Sequence, residues 1–376
     1  MNLLERKIME RIRTEGPIPF STFMEMALYE PGLGYYASEN VEIGRAGDFY
    51  TSQHVHAAFG IMIARQLEEM WEIMGRPSSF SVIEPGAGAG LTCLDILQHL
   101  EHRDVFRALT YFIIEANPAT KRKQMSILDR YSGIVHWFDS LNALQSCGGC
   151  IFSNELLDAF PIHLIGMHEE LREVFVDANQ ADPAIAFREV FNPPSTDALA
   201  DYLHEFSIDL PKGYRTEINL RIREWLHSVA EILSEGFILT IDYGYPAQEY
   251  YDRERNKGTL LCYSRHQAHD NPYINVGKQD ITSHVNFSSV KKWGEQFGFS
   301  TLGFCQQGAY FVSLGIDQVI RELFKKSPDY LFEVARIKRL LFPGTLGETH
   351  KVIVQYKGRG HPRLRGFALK NQAGAL

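Results

Sequence analysis

The segment Val82-Ile83-Glu84-Pro85-Gly86-Ala87-Gly88-Ala89-Gly90 runs from apolar residues into an acid and then into three glycines at alternate positions. Glycines let backbone approach a ligand closely. The helical spacing that follows (Leu91, Leu94, Leu97, Leu100) sets a helix N-terminus beside them. A second acid, Glu115, closes the next apolar run, Tyr111 to Ile114. A third cluster, Asn154, Glu155 and Asp158, leaves the apolar run Cys150 to Ser153. Glu155 and Asp158 are three apart, so one helical turn would put both on the same side. Two such carboxylates form a fork for the paired donors of a guanidinium, or else cap the next helix.

The glycine turn departs from the dinucleotide fingerprint Gly-x-Gly-x-x-Gly, because Leu91 stands at the third place and Gly90 comes one residue early. Glu84, two residues ahead of the first glycine, would repel a pyrophosphate. Acid-x-Gly-x-Gly-x-Gly suits a ligand with a positive centre and no phosphate, and S-adenosylmethionine fits that description. Glu84, Gly86, Gly88 and Gly90 are expected to hold its methionine end, and Glu115 its ribose. Asp242 ends another apolar run and could bind substrate or cap a turn. Tyr263, Arg265, His266, Asp280 and His284 lie in or near a long polar stretch, where His266 could carry a proton near neutral pH or simply be solvated. Cys147-Gly-Gly-Cys150 has the spacing of a metal knuckle but lacks a second pair, so no metal site is expected. Thr51 and Ser52 sit in a polar loop that could cap a helix and cover the cofactor.

These residues need elements to position them. Strands are expected at 80–84, 110–115, 134–138, 149–153 and 237–242, and helices at 90–101, 118–130 and 216–234. That alternation predicts an α/β fold with a parallel sheet covered on both faces. Capped helices are expected near 21–29 and 55–71, a β-rich insertion over 161–192, a helix at 288–298, a strand near 299–305, two helices over 314–341 and a last strand from His350 to Tyr356. The expected organisation is an N-terminal helical segment (1–75), a main domain (76–356) with insertions at about 161–215 and 243–283, and a basic tail (357–376) that frays. At 376 residues the chain can bury a large core, and its formal charge of −8 argues against a general nucleic-acid binder. Five cysteines make a disulfide framework unexpected, no apolar run approaches membrane-span length, and the expected location is the cytoplasm.

Together the motifs resemble the MidA-like family of class I methyltransferases, which includes the mitochondrial complex I assembly factor 7 group. The resemblance runs through Phe23-Met24, Gly34-Tyr35-Tyr36, the Gly47-Asp48-Phe49-Tyr50-Thr51-Ser52 loop, the Glu84 turn, Asn154-Glu155-Leu156-Leu157-Asp158-Ala159-Phe160-Pro161, Asp242-Tyr243-Gly244, Asp280 to Phe287, and Gln307-Gly308 with Phe311. It departs from the family at Ala87, where many members have Pro, at Asn117 in Glu115-Ala116-Asn117-Pro118, at Asn286, and at Leu346-Gly347-Glu348-Thr349-His350-Lys351. The resemblance implies a Rossmann-like sheet of seven strands, mostly parallel, with added helical and α+β parts. It implies S-adenosylmethionine as methyl donor and a protein arginine as acceptor, which in the mitochondrial relatives belongs to a subunit of respiratory complex I. Glu155 and Asp158, with Asn154, would hold that acceptor. A non-catalytic assembly factor and a small-molecule methyltransferase are the alternatives.

Overall fold

The computed structural model describes residues 1–38, 55–179, 186–264 and 267–376. Thr51, Ser52 and His266 lie outside them.

The central sheet contains β1 (Phe80–Pro85), β2 (Leu109–Ile114), β3 (Val135–Phe138), β4 (Cys147–Asn154), β5 (Leu233–Tyr245), β6 (Ser300–Gln306) and β7 (His350–Lys357). Their order is β6-β7-β5-β4-β1-β2-β3, with the short strand Val285–Asn286 added beside the end of β5. Strands β1 to β5 pair in parallel, whereas β7 runs antiparallel to both β5 and β6. Successive side chains of a strand face opposite sides, and both sides are covered here. Val82 of β1 and Cys150 and Phe152 of β4 pack into one core with Phe59, Met62, Ile63 and Leu67 of the helix Ala58–Ile73. Ile83 and Ile151 pack into another with Leu226 and Val229 of the helix Arg221–Ile232. The parallel crossovers leave all five strand ends at one edge, where open α/β sheets bind ligands.

The first two helices, Leu3–Glu15 and Phe20–Tyr29, share a third core with inserted strands, including Phe20, Phe23, Val174 and Val176. The two are also joined by strand pairing: Ile18 and Pro19 pair antiparallel with Val176 and Phe175 of the strand Leu171–Ala178. The N-terminal segment is therefore divided. Its early helices join the insertion, and the helix Ala58–Ile73 joins the main sheet.

Three expectations are corrected. Residues 215–218 form a strand that pairs with 163–166 rather than the start of a helix. Thr216, Glu217 and Ile218 are all buried there, and Glu217 accepts from the amides of Thr259 and Leu260, so pairing with distant segments rather than local spacing decides the strand. The stretch 243–283, whose lack of periodicity suggests a long loop, holds a small antiparallel sheet of Leu261–Ser264, Gln267–His269 and Asp280–Thr282. The tail does not fray: Leu364 and Phe367 are buried, Arg365 pairs with Glu69 at 3.1 Å, and Gln372 donates to the Phe304 carbonyl at 2.7 Å. Among the described residues, no helix is long and apolar enough to cross a membrane.

Candidate active site

A cleft of about 910 Å³ opens at the carboxyl ends of β1, β2, β4 and β5, and its lining includes Gly86, Gly88, Glu115, Asn154, Glu155 and Asp158. Its size suits a small-molecule site.

At the turn after β1, Gly86, Gly88 and Gly90 have φ of 65°, 54° and 79°. A residue with a Cβ loses about 1–2 kcal/mol in that left-handed region, which is the physical demand behind the alternate glycines. Gln124 braces the turn. It is fully buried, and its Nε2 donates to the Gly88 carbonyl at 2.9 Å and to Glu115 Oε2 at 3.3 Å. Its Oε1 accepts from the Trp137 indole at 3.0 Å. Glu115 also accepts from the Asn117 amide at 2.8 Å. Burial raises the Glu115 pKa, and these hydrogen bonds oppose the rise.

Glu84 and Gly90 are not in the lining. Glu84 is 4% exposed and accepts from the Tyr111 hydroxyl at 2.6 Å, and burial pushes its pKa up to about 7. Its carboxyl is thus turned to the Tyr111 hydroxyl within the core, and Gly90 is the N-cap of the helix Leu91–Leu100. Asp139, just past β3, does line the cleft and pairs with Lys121 at 3.0 Å. Sequence reading missed both Asp139 and Gln124. Asp139 follows its strand much as Glu115 follows β2, whereas nothing local marks Gln124.

Asn154, Glu155 and Asp158 do come together, though without the helical turn their spacing suggested. Glu155 has φ 49°, a conformation that costs about 1–3 kcal/mol for a residue with a side chain. Asp242 holds the turn in place, its Oδ2 accepting from the Leu157 amide at 2.9 Å and its Oδ1 from the Tyr243 amide at 2.9 Å. Asp242, fully buried, is therefore a backbone brace. Glu155 Oε1 lies 3.2 Å from His350 Nε2 and accepts from Asn154 Nδ2 at 3.3 Å. Asp158 is 4% exposed, one oxygen accepts from the Tyr243 hydroxyl, and the other is buried without a partner, as is Asn154 Oδ1. Burial, then the nearby Glu155 charge, pushes the Asp158 pKa up to about 7, against the Tyr243 hydrogen bond.

The N-terminal segment completes the site. Tyr36 donates to Asp280 Oδ1 at 2.8 Å, and Tyr29 donates to the Ala159 carbonyl at 2.9 Å. The two tyrosine rings stack with centroids 5.7 Å apart. Asn117 ties this strap to β2, donating to the carbonyls of Tyr36 and Ser38 at 2.8 and 2.9 Å. The cleft thus has a glycine-and-acid half and a half of carboxylates walled by tyrosines.

A doubly wound sheet of this order, with a glycine-rich cradle after β1 and an acid at the end of β2, is that of a class I S-adenosylmethionine-dependent methyltransferase. Residues 62–305 match the model of a family of S-adenosyl-L-methionine-dependent methyltransferases, and the chain belongs to that family. A superfamily member from Burkholderia thailandensis, crystallised with S-adenosyl-homocysteine bound, is 30% identical with a TM-score of 0.89, covering 99% of this chain and 96% of its own. The chain is also similar to the mitochondrial protein arginine methyltransferase NDUFAF7 of Homo sapiens, at 26% identity over 86% of this chain and 75% of that one. Its homolog from Drosophila melanogaster is 24% identical over 94% of this chain and 85% of that one. S-adenosylmethionine is the methyl donor of this family, and the residues present fit it. Gly86 and Gly88, which line the cleft without a Cβ, allow close approach, and Glu115 can accept hydroxyl hydrogen bonds.

Proposed function

We propose that this methyltransferase transfers the methyl group to an arginine side chain of a partner protein. One observation carries the reading: Glu155, Asp158 and Asp280 line the same cleft as the glycine turn, among Tyr29, Tyr36 and Tyr243. Carboxylates match a guanidinium's planar donors, and aromatic faces attract its charge. Asp158 Oδ1 and Asn154 Oδ1, buried without partners, supply acceptors for its N–H groups. The names of the NDUFAF7 relatives support the same acceptor.

The cofactor supplies an electrophilic methyl group. In this reading Gly86, Gly88 and Glu115 hold it, while Glu155 and Asp158 orient the acceptor nitrogen, so that rate comes from positioning and placed charge. The test is to incubate the protein with methyl-labelled S-adenosylmethionine and cell lysate and to locate the label by mass spectrometry. Methylated arginine in a protein is expected. Label confined to lysine or to small molecules would overturn the reading.

A further inference from the structure

We propose that Asp280 is the catalytic base of the transfer, taking the proton that the acceptor nitrogen must lose. The proposal rests on the guanidinium reading above. Asp280 is 2% exposed and lines the cleft at the start of the strand Asp280–Thr282. Its Oδ1 is fully engaged by the Tyr36 hydroxyl at 2.8 Å and the Ile281 amide at 2.9 Å. Oδ2 carries no hydrogen bond among the described residues. Asp280 is thus held by one oxygen and left open at the other, in a wall shared with the acceptor fork.

The groups around Asp280 are acidic or neutral. Tyr29 and Tyr36 face it from the N-terminal segment, Asp158 and Glu155 from the segment after β4, and Cys262 and Tyr263 from the neighbouring strand. Burial and then the Asp158 charge push its pKa up to about 8. A base is most effective with a pKa near the working pH. An arriving guanidinium supplies the missing cation and favours the ionised form.

A protonated guanidinium has no available lone pair on nitrogen, so methylation requires a proton to leave. The nitrogen forms a bond to the methyl carbon as the carbon–sulfur bond breaks, and the sulfur keeps the electron pair. The proton from that nitrogen passes to Asp280 Oδ2, and the product leaves as a methylated guanidinium cation. Asp280 then returns the proton to water. The labour is divided: Glu155 and Asp158 hold the acceptor, and Asp280 deprotonates it.

The test compares wild type with Asp280→Asn and Asp280→Glu. Asp280→Asn should lower kcat by about 10²–10⁴-fold, and its residual rate should lose the rise through neutral pH. Asp280→Glu should recover part of the rate. S-adenosyl-homocysteine titration checks that each variant is folded. Independently of turnover, guanidinium ion is titrated calorimetrically in two buffers of different ionisation enthalpy at neutral pH. Wild type should release a proton on binding, and Asp280→Asn should release far less. Wild-type kcat in Asp280→Asn, or unchanged proton release, overturns the proposal. Should the label sit on a residue other than arginine, the arginine reading falls, while the rate of Asp280→Asn on that acceptor still decides whether Asp280 is the base.

Discussion

Glu155 is the residue at which local strain meets the proposed acceptor fork. Its positive φ is sustained by a bond from its amide to the Ile241 carbonyl at 2.9 Å and by His350 and Asn154 at its carboxylate. Strain of this kind persists where the surroundings over-determine it. Glu155→Gln keeps the shape and removes the charge, so S-adenosyl-homocysteine binding should persist while methyl transfer falls by at least about tenfold, on the scale of one charged hydrogen bond. Full activity in a transfer assay would remove Glu155 from the fork. Burial pushes the pKa values of Asp158 and Asp280 up to about 7 and about 8, so the proposed capture of a cationic acceptor should depend on pH. Transfer at limiting acceptor should climb as pH passes through that range, because only the ionised acids attract a cation. Stability should move the other way. An unfolded carboxyl titrates near pH 4, at roughly its unperturbed value, so between there and the folded pKa the folded chain binds more protons, and these groups contribute less stability as pH rises. Asp280→Asn should therefore gain stability relative to wild type as pH is raised, read as urea midpoints at each pH. A constant difference would contradict the assignment.

At the scale of elements, Asn117 joins the two halves of the cleft. It caps the helix Pro118–Ile127 through the Ala119 amide at 2.9 Å, bonds Glu115 through its own amide, and clamps the strap that carries Tyr36. Asn117→Ala removes a cap worth about 1 kcal/mol and frees the strap. Acceptor KM should rise more than the cofactor Kd, and a change confined to cofactor binding would contradict this coupling. The main-sheet strands were legible because apolar runs ending in Glu84, Glu115, Asn154 and Asp242 punctuate them. The proposed acceptor half of the cleft was legible only in part. Glu155 and Asp158 are neighbours in sequence, but Tyr36 and Asp280 are 244 residues apart, and no local pattern announces such a pairing. The fork spacing suggested a helical turn, yet the chain there is shaped by Asp242 from a neighbouring strand.

Across the whole molecule, two cores on opposite faces of the sheet carry the cofactor half, and a third core, shared by the N-terminal helices and the inserted strands, carries Tyr29 and Tyr36. The expected frayed tail shows why composition misleads at chain ends. Arg365 is basic and its side chain largely exposed, yet it satisfies the buried Glu69. Leu364 and Phe367 give the tail an apolar anchor that the surrounding charges hide. Ending the chain at Lys357 should destabilise it by on the order of 3 kcal/mol, from two lost apolar side chains. Thermal melting would check this, and an unchanged midpoint would mean the tail carries no stability.

The central claim is that one cleft holds the methyl donor through β1 and β2 and the acceptor through the segment after β4. Calorimetric titration of S-adenosyl-homocysteine into wild type, Glu115→Ala and Glu155→Gln tests it most directly. The prediction is binding to wild type, a loss of about 1.5–3 kcal/mol in Glu115→Ala, and near-wild-type affinity in Glu155→Gln. Undiminished affinity in Glu115→Ala, or equal losses in both variants, would contradict the division of the cleft.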